Sequence, residues 1–201
     1  ARHRIEDVAT PEGFARNPAL VHEFYNARRQ HSASATPNAA HEALARLQQY
    51  WPGEVVLVTQ NVDGLHESAG GKAIHMHGTL AGALCAACGH RWTAPEMMQP
   101  KDPCPACAAP ATRPGVVWFG EMPYEMERIY GALREADLFV SIGTSGAVYP
   151  AAGFVREARA MGVRTLELNL EPSQGTAWFD DARHGQASKL VPQWVDEVLS
   201  S

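Results

Sequence analysis

Apolar residues follow two rhythms along this chain. Leu20, Val21, Phe24 and Ala27 recur at helical spacing behind Pro18, which predicts a helix from Pro18 to Gln30. Ala40, Leu44 and Leu47 repeat the pattern, so Pro37 to Tyr50 reads as a second helix, with Thr36 as its N-cap and Pro52-Gly53 as its stop. Val55–Val58 is short and wholly apolar, like the strands buried in parallel sheets. Tyr124 to Glu135, Ala151 to Met161 and Ser188 to Leu199 read as helices, and Asp137 to Ile142 and Val163 to Leu168 as strands. Val116 to Glu121 is an extended segment ending in a turn. Residues 1–17 are polar and mixed, with a turn signal at Thr10-Pro11-Glu12-Gly13. This alternation of strand and helix predicts an α/β fold with a parallel sheet.

Composition narrows the class. With 201 residues, 45% hydrophobic and 19% charged, the chain suits one sizeable core carrying a small insert. No apolar run approaches a membrane span, and the opening ARHRIEDV is not expected to be a signal peptide. A net charge of −5 gives no reason to expect a polyanionic partner.

Four cysteines change the picture more. Cys85-x-x-Cys88 and Cys104-x-x-Cys107 stand fifteen residues apart, a spacing that aims four thiolates at one structural zinc ion. A closed tetrahedral site of this kind suits a reducing cytoplasm. The segment around it, 79–115, is rich in glycine, alanine and proline and predicts a small zinc-binding insert. Its basic residues are Arg91, Lys101 and Arg113, against Glu96 and Asp102, with Trp92 as its one aromatic. That is neither a basic stripe nor a stacking platform, so no nucleic acid is expected as partner.

The stretch from Thr59 to His90 gathers the remaining chemistry. Gln60-Asn61-Val62-Asp63-Gly64 follows the first strand, at the edge where open α/β sheets bind ligands. Taken alone, those residues read better as an ordinary turn. His75 and His77 come next, and spacing alone does not choose between them as a base.

Six runs in order resemble the sirtuins, NAD-dependent protein lysine deacylases. They are Thr59-Gln60-Asn61-Val62-Asp63-Gly64-Leu65-His66, His77-Gly78-Thr79-Leu80, the paired CxxC, Val117-Trp118-Phe119-Gly120-Glu121, Gly143-Thr144-Ser145 and Asn169-Leu170-Glu171. The resemblance runs from about Ala9 to Leu199 and is nearest to bacterial forms close to the branch that removes succinyl and malonyl groups. It implies a Rossmann-like parallel sheet with helices on both faces, over 1–78 and 116–201, plus the zinc ribbon. It also implies a monomer in the cytoplasm, acting on acyl-lysine proteins or peptides with no membrane involved. Sirtuins carry a first strand, a glycine-rich phosphate-binding turn and a loop ending in Pro-x-Phe-Arg ahead of the matched region. None of these is in the 201 residues, so the expectation is a sequence that is truncated or lacks a mobile loop and what precedes it.

The resemblance also implies roles. His77, followed by Gly-Thr-Leu, is the general base. Gln60, Asn61, Val62 and Asp63 contact the nicotinamide and its ribose. Gly143, Thr144 and Ser145 line the sheet edge, Asn169, Leu170 and Glu171 contact the adenosine ribose, and Ala187 lies beside the adenine. Val117, Trp118, Phe119 and Gly120 pair with the substrate backbone as an added strand. Tyr25 and Arg28, at i and i+3 on one helix, resemble an acyl pocket for succinyl and malonyl groups. Arg29 points about 100° away around that helix and is not chosen. In the reaction so implied, the acyl oxygen attacks C1′ of the nicotinamide ribose and His77 then removes a ribose proton. Water finally releases free lysine and O-acyl-ADP-ribose, and NAD is consumed. The rival readings are an ADP-ribosyltransferase on the same scaffold and a non-catalytic zinc-ribbon binding module.

Overall fold

The computed structural model describes residues 4–201, so the first three residues of the polar N-terminal stretch lie outside it. In chain order the helices are α1 (Ile5–Val8), α2 (Pro11–Arg16), α3 (Pro18–Ala33), α4 (Ala39–Tyr50), α5 (Leu65–Ser68), α6 (Met126–Glu135), α7 (Phe154–Ala160) and α8 (Ala187–Leu199). The strands are β1 (Leu57–Thr59), β2 (Ala73–His75), β3 (Gly78–Cys85), β4 (Arg91–Thr93), β5 (Thr112–Val116), β6 (Leu138–Ile142), β7 (Arg164–Asn169) and β8 (Asp181–His184). The chain forms two compact units. One holds residues 4–36, 58–65 and 73–125, and the other residues 37–57, 66–72 and 126–201.

In the first unit an antiparallel sheet of order β4-β3-β5 carries the cysteines. Cys85 pairs with Thr112 in register, and the register shifts between Gly78 and Ala83. Glycine sets how closely β3 and β5 approach. Gly78 has φ +75°, and a Cβ there would stand 2.2 Å from the Gly115 carbonyl oxygen. A Cβ on Gly115 would in turn meet the Gly82 carbonyl carbon at 2.6 Å. Only hydrogen fits at these positions.

α3 lies against β3 and β5. Its inward face contributes Val21 and Tyr25 to a cluster with Leu80, Val116 and Trp118. α3 is also pinned to the loop after β4. The Asn26 amide donates to the Met98 carbonyl at 2.8 Å, and its oxygen accepts the Met98 N–H at 3.0 Å. Arg29 reaches the other way, donating to the Leu80 carbonyl at 2.8 Å and to Asn26 Oδ1 at 2.9 Å.

The second unit holds a parallel sheet of order β6-β7-β8. Leu166 and Leu168, alternate residues of β7, pack with Ala40, Leu44 and Leu47 of α4 and Val191, Trp194 and Val195 of α8. α7 lies against β6 and β7 with its own buried residues, Phe154, Val155 and Ala158. Glu167 points to the opposite face from its leucine neighbours and is buried. It accepts from the hydroxyls of Ser173 and Thr176, and His184 Nε2 lies 3.4 Å away.

Several boundaries differ from the sequence reading. The cap of α4 is Asn38 rather than Thr36: its side chain accepts from the N–H groups of Ala40 and His41, and His41 Nδ1 accepts the Asn38 N–H in return. β1 begins at Leu57, two residues later than the apolar run suggested, while Val55 instead packs on the second unit's core. The Thr-Pro-Glu-Gly sequence starts a helix rather than a turn. Thr10 caps α2 by accepting the Gly13 N–H at 3.0 Å, and Pro11 sits in the first turn. No helix among the described residues is long and apolar enough to cross a membrane.

Candidate functional site

Within the first unit, the chain beyond β1 folds over its own side chains. Thr59 Oγ1 accepts the Asn61 N–H at 3.0 Å, and Asp63 Oδ1 accepts the Leu65 N–H at 3.1 Å. These short loops leave two backbone carbonyls aimed at the histidines. His77 Nδ1 lies 3.1 Å from the Gln60 carbonyl oxygen, and His75 Nδ1 lies 3.2 Å from that of Asn61. A carbonyl only accepts, so this contact fixes the proton on His77 Nδ1 and leaves Nε2 as the basic nitrogen. Burial lowers the His77 pKa, against the smaller opposing effect of the Gln60 carbonyl. The ring is therefore neutral at pH 7. The two histidines do share a face, with buried Ile74 and Met76 alternating against them.

Beside these loops lies a cavity of about 600 Å³. Gln60, Asn61, Val62 and Asp63 line one side, and Phe24 and Arg28 of α3 line another. His77 and Tyr25 are outside that lining. His77 holds Gln60, which is part of it. Tyr25 is buried, and its hydroxyl accepts the Trp118 indole N–H at 3.0 Å. Burial raises its pKa, with Trp118 and the nearby Arg28 opposing the shift, so the phenol stays protonated. The exposed Arg28 guanidinium lies 5.5 Å from the centre of the Phe24 ring. Arg29, by contrast, is occupied by Asn26 and backbone carbonyls.

The Val117–Gly120 segment follows β5. The Val117 N–H donates to the His77 carbonyl at 2.8 Å and the Phe119 N–H to the Ala9 carbonyl at 3.0 Å. Trp118 is buried, whereas Phe119 is 55% exposed. Arg113 and Glu121, which the sequence reading did not single out, hold this segment. Arg113 was counted there as a basic residue of the insert. In the fold it is buried, its guanidinium stacks 3.5 Å over the Trp118 ring, and it forms a two-pronged pair with Glu121 at 2.5 and 2.9 Å. Their eight-residue separation gave no signal of this. Arg91 is likewise occupied, 3.8 Å over the Tyr124 ring.

The four cysteines come together. Cys85 Sγ is 3.8 Å from Cys107 Sγ, Cys88 Sγ is 3.8 Å from Cys104 Sγ, and all four sulfurs lie within 4.8 Å of one another. A tetrahedron with zinc–sulfur bonds of about 2.3 Å has edges of about 3.8 Å, so the donor set fits zinc. Four thiolates leave no open position, which makes the ion structural.

In the second unit, the turn after β6 and the turn after β7 are tied together. The Asn169 amide donates to the Thr144 carbonyl at 2.7 Å, and the Gly143 N–H to the Leu168 carbonyl at 3.0 Å. Gly143 has φ +63° and nothing within 4 Å of where a Cβ would stand, so a ligand can approach its backbone. Ser145 Oγ accepts the Ala147 N–H, Leu170 and Glu171 are exposed, and Ala187 is the first residue of α8.

A parallel α/β sheet and a four-cysteine antiparallel ribbon define a Rossmann-like protein with a structural zinc site. The chain belongs to the Sir2 family, whose model it matches over residues 1–150. An NAD-dependent protein deacylase of Caulobacter vibrioides is 55% identical over 99% of this chain and 86% of its own length. One of Escherichia coli K12 is 54% identical over 98% of this chain and 72% of its own. Among solved structures, a Sir2 homologue–NAD complex superposes with TM-score 0.91 at 34% identity, covering 99% of this chain and 79% of that one. A Sir2 protein bound to a myristoylated histone peptide gives TM-score 0.76 at 29% identity, covering 96% of this chain and 84% of its own.

Proposed function

We propose that this chain is an NAD-dependent protein deacylase that frees lysine side chains of acyl groups and consumes NAD as co-substrate. The observation that carries this reading is the His77–Gln60 contact at 3.1 Å, which holds the proton on Nδ1 and leaves Nε2 as the basic nitrogen of a ring that burial keeps neutral. Such a group can take a proton from a ribose hydroxyl near neutral pH. Gln60, Asn61, Val62 and Asp63 would bind the nicotinamide and its ribose. Gly143, Thr144, Ser145, Asn169, Leu170, Glu171 and Ala187 would bind the adenosine part. The open backbone at Gly143 supports the latter assignment. The products would be nicotinamide, O-acyl-ADP-ribose and free lysine, which the naming of relatives as NAD-dependent protein deacylases supports.

Val117, Trp118, Phe119 and Gly120 would hold the peptide, and Tyr25 and Arg28 the acyl group. The position of Arg28 on the cavity wall supports acidic acyl groups, because a guanidinium binds a carboxylate through two parallel hydrogen bonds. Incubation with NAD and an acyl-lysine peptide, followed by mass spectrometry, tests the reading. Free lysine with O-acyl-ADP-ribose is the expected outcome. ADP-ribose attached to protein, with the acyl group intact, would instead identify a transferase.

A further inference from the structure

We propose that Arg113 and Glu121 are positioning residues for the acyl-lysine peptide: their ion pair shapes the Val117–Gly120 segment and, through Trp118, fixes the Tyr25 hydroxyl. This inference rests on the deacylase reading above.

Arg113 is an unexpected side chain for the inside of a sheet. It sits in β5 between buried Thr112 and Pro114, with 8% of its side chain exposed. One terminal nitrogen donates to Glu121 Oε1 and the other to Glu121 Oε2 and to the Val116 carbonyl at 3.0 Å. A buried guanidinium is costly unless its charge is countered. Glu121 counters the charge and, with the Val116 carbonyl, occupies both terminal nitrogens, while the buried Nε has no hydrogen-bond partner among the described residues. The carboxylate does more than neutralise. Its Oε2 also accepts the Trp118 N–H at 2.8 Å, while the Glu121 N–H donates to the Trp118 carbonyl at 3.0 Å. Residues 118–121 thus close as a turn around one carboxylate, with Gly120 at φ +88° allowing the bend.

Two consequences follow for a peptide. The N–H groups of Val117, Trp118 and Phe119 are all engaged internally. A substrate backbone could therefore pair with this segment only at its carbonyls and at Gly120. The second consequence concerns orientation. Arg113 above and the turn below hold the Trp118 ring, so its indole N–H is aimed at Tyr25. A hydroxyl oxygen that accepts one hydrogen bond keeps its own proton for another acceptor. The ion pair therefore sets which way the Tyr25 O–H can point.

The test is a split of kinetic constants in the full chain. Glu121→Ala should raise the KM for an acetyl-lysine peptide about tenfold while leaving the KM for NAD within about twofold. Glu121→Gln still accepts the Trp118 N–H and should recover part of that loss. Glu121→Gln should also lower the succinyl-to-acetyl preference in the parent protein but leave it unchanged in a Tyr25→Phe background. Should Glu121→Ala fail to fold, Glu121→Gln and Arg113→Lys carry the same comparison. Parallel rises in both KM values, or an unaltered peptide KM in all variants, would overturn the inference. A parent protein with no deacylase activity would overturn the deacylase reading itself, and so is told apart from failure of the positioning role.

Discussion

Asn26 and Met98 are joined by two hydrogen bonds of opposite direction, the side-chain amide of one clasping the backbone of the other at 2.8 and 3.0 Å. Both residues are buried. The amide therefore replaces a strand partner that the Met98 peptide group lacks. Asn26→Leu would leave a buried N–H and a buried C=O unmet, a loss of about 2–4 kcal/mol. Urea denaturation should show a lower midpoint with an unchanged slope, and a shift under about 0.5 kcal/mol would refute the claim.

The histidine makes a different prediction, about pH. A general base works only when neutral, and burial has lowered the His77 pKa from 6.5. The neutral form therefore persists to lower pH, and the acidic limb of kcat/KM should lie below 6.5. His77→Ala should reduce kcat by about 10²–10⁴ while retaining acyl-peptide affinity. A greater loss in His75→Ala would assign the base to the other histidine.

Metal removal should unfold the ribbon. An ion held at a thousandfold its Kd stabilises by about 4 kcal/mol. Stripping it with a chelator, or replacing Cys85 or Cys107 by serine, should lower Tm by about 8–16 °C. The readouts are metal content and a melting curve, and a full-stability Cys107→Ser protein would show that the four thiols are not a metal site.

Arg28 makes the sharpest claim about specificity. Hydrogen bonds to a charged group are worth about 1.5–3 kcal/mol, so Arg28→Met should cost about 10- to 150-fold in kcat/KM on succinyl-lysine. The loss on acetyl-lysine should be much smaller. Equal losses on both substrates would make Arg28 a structural residue.

Stability at low pH should depend on Glu167. Burial alone would raise its pKa, but hydrogen bonds from Ser173, Thr176 and His184 outweigh this and lower it below 4.5. A depressed carboxylate stabilises the fold above its unfolded pKa, and that contribution is lost as pH falls through the folded value. Below pH 4.5, stability should therefore fall more steeply in the parent protein than in Glu167→Gln. Matching slopes in a pH series of denaturation curves would contradict this.

Much of this was readable from residue order because it is local. Helical spacing found α3, α4 and α8, and the paired CxxC found the metal site. What stayed hidden is charged or distant. β8 reads Asp-Ala-Arg-His and has no apolar alternation, because its strand character comes from pairing with β7. The turn reading of Thr10 to Gly13 failed since a capping threonine and a first-turn proline are also turn residues. Helical phase placed Tyr25 and Arg28 together, yet only folding could show the Tyr25 hydroxyl engaged by a tryptophan 93 residues away. The burial of Arg113 is not legible in residue order, because nothing nearby in sequence announces that β5 is buried.

The close approach of Gly78 and Gly115 bears on how this protein can be altered. A methyl group at Gly78 would have to displace the Gly115 carbonyl, and Gly78 follows His77 directly in the chain. Libraries aimed at new acyl preferences would squander their members on those glycines. The exposed side chains of α3 around Arg28, free of such backbone contact, are where evolution or a designer has room to move.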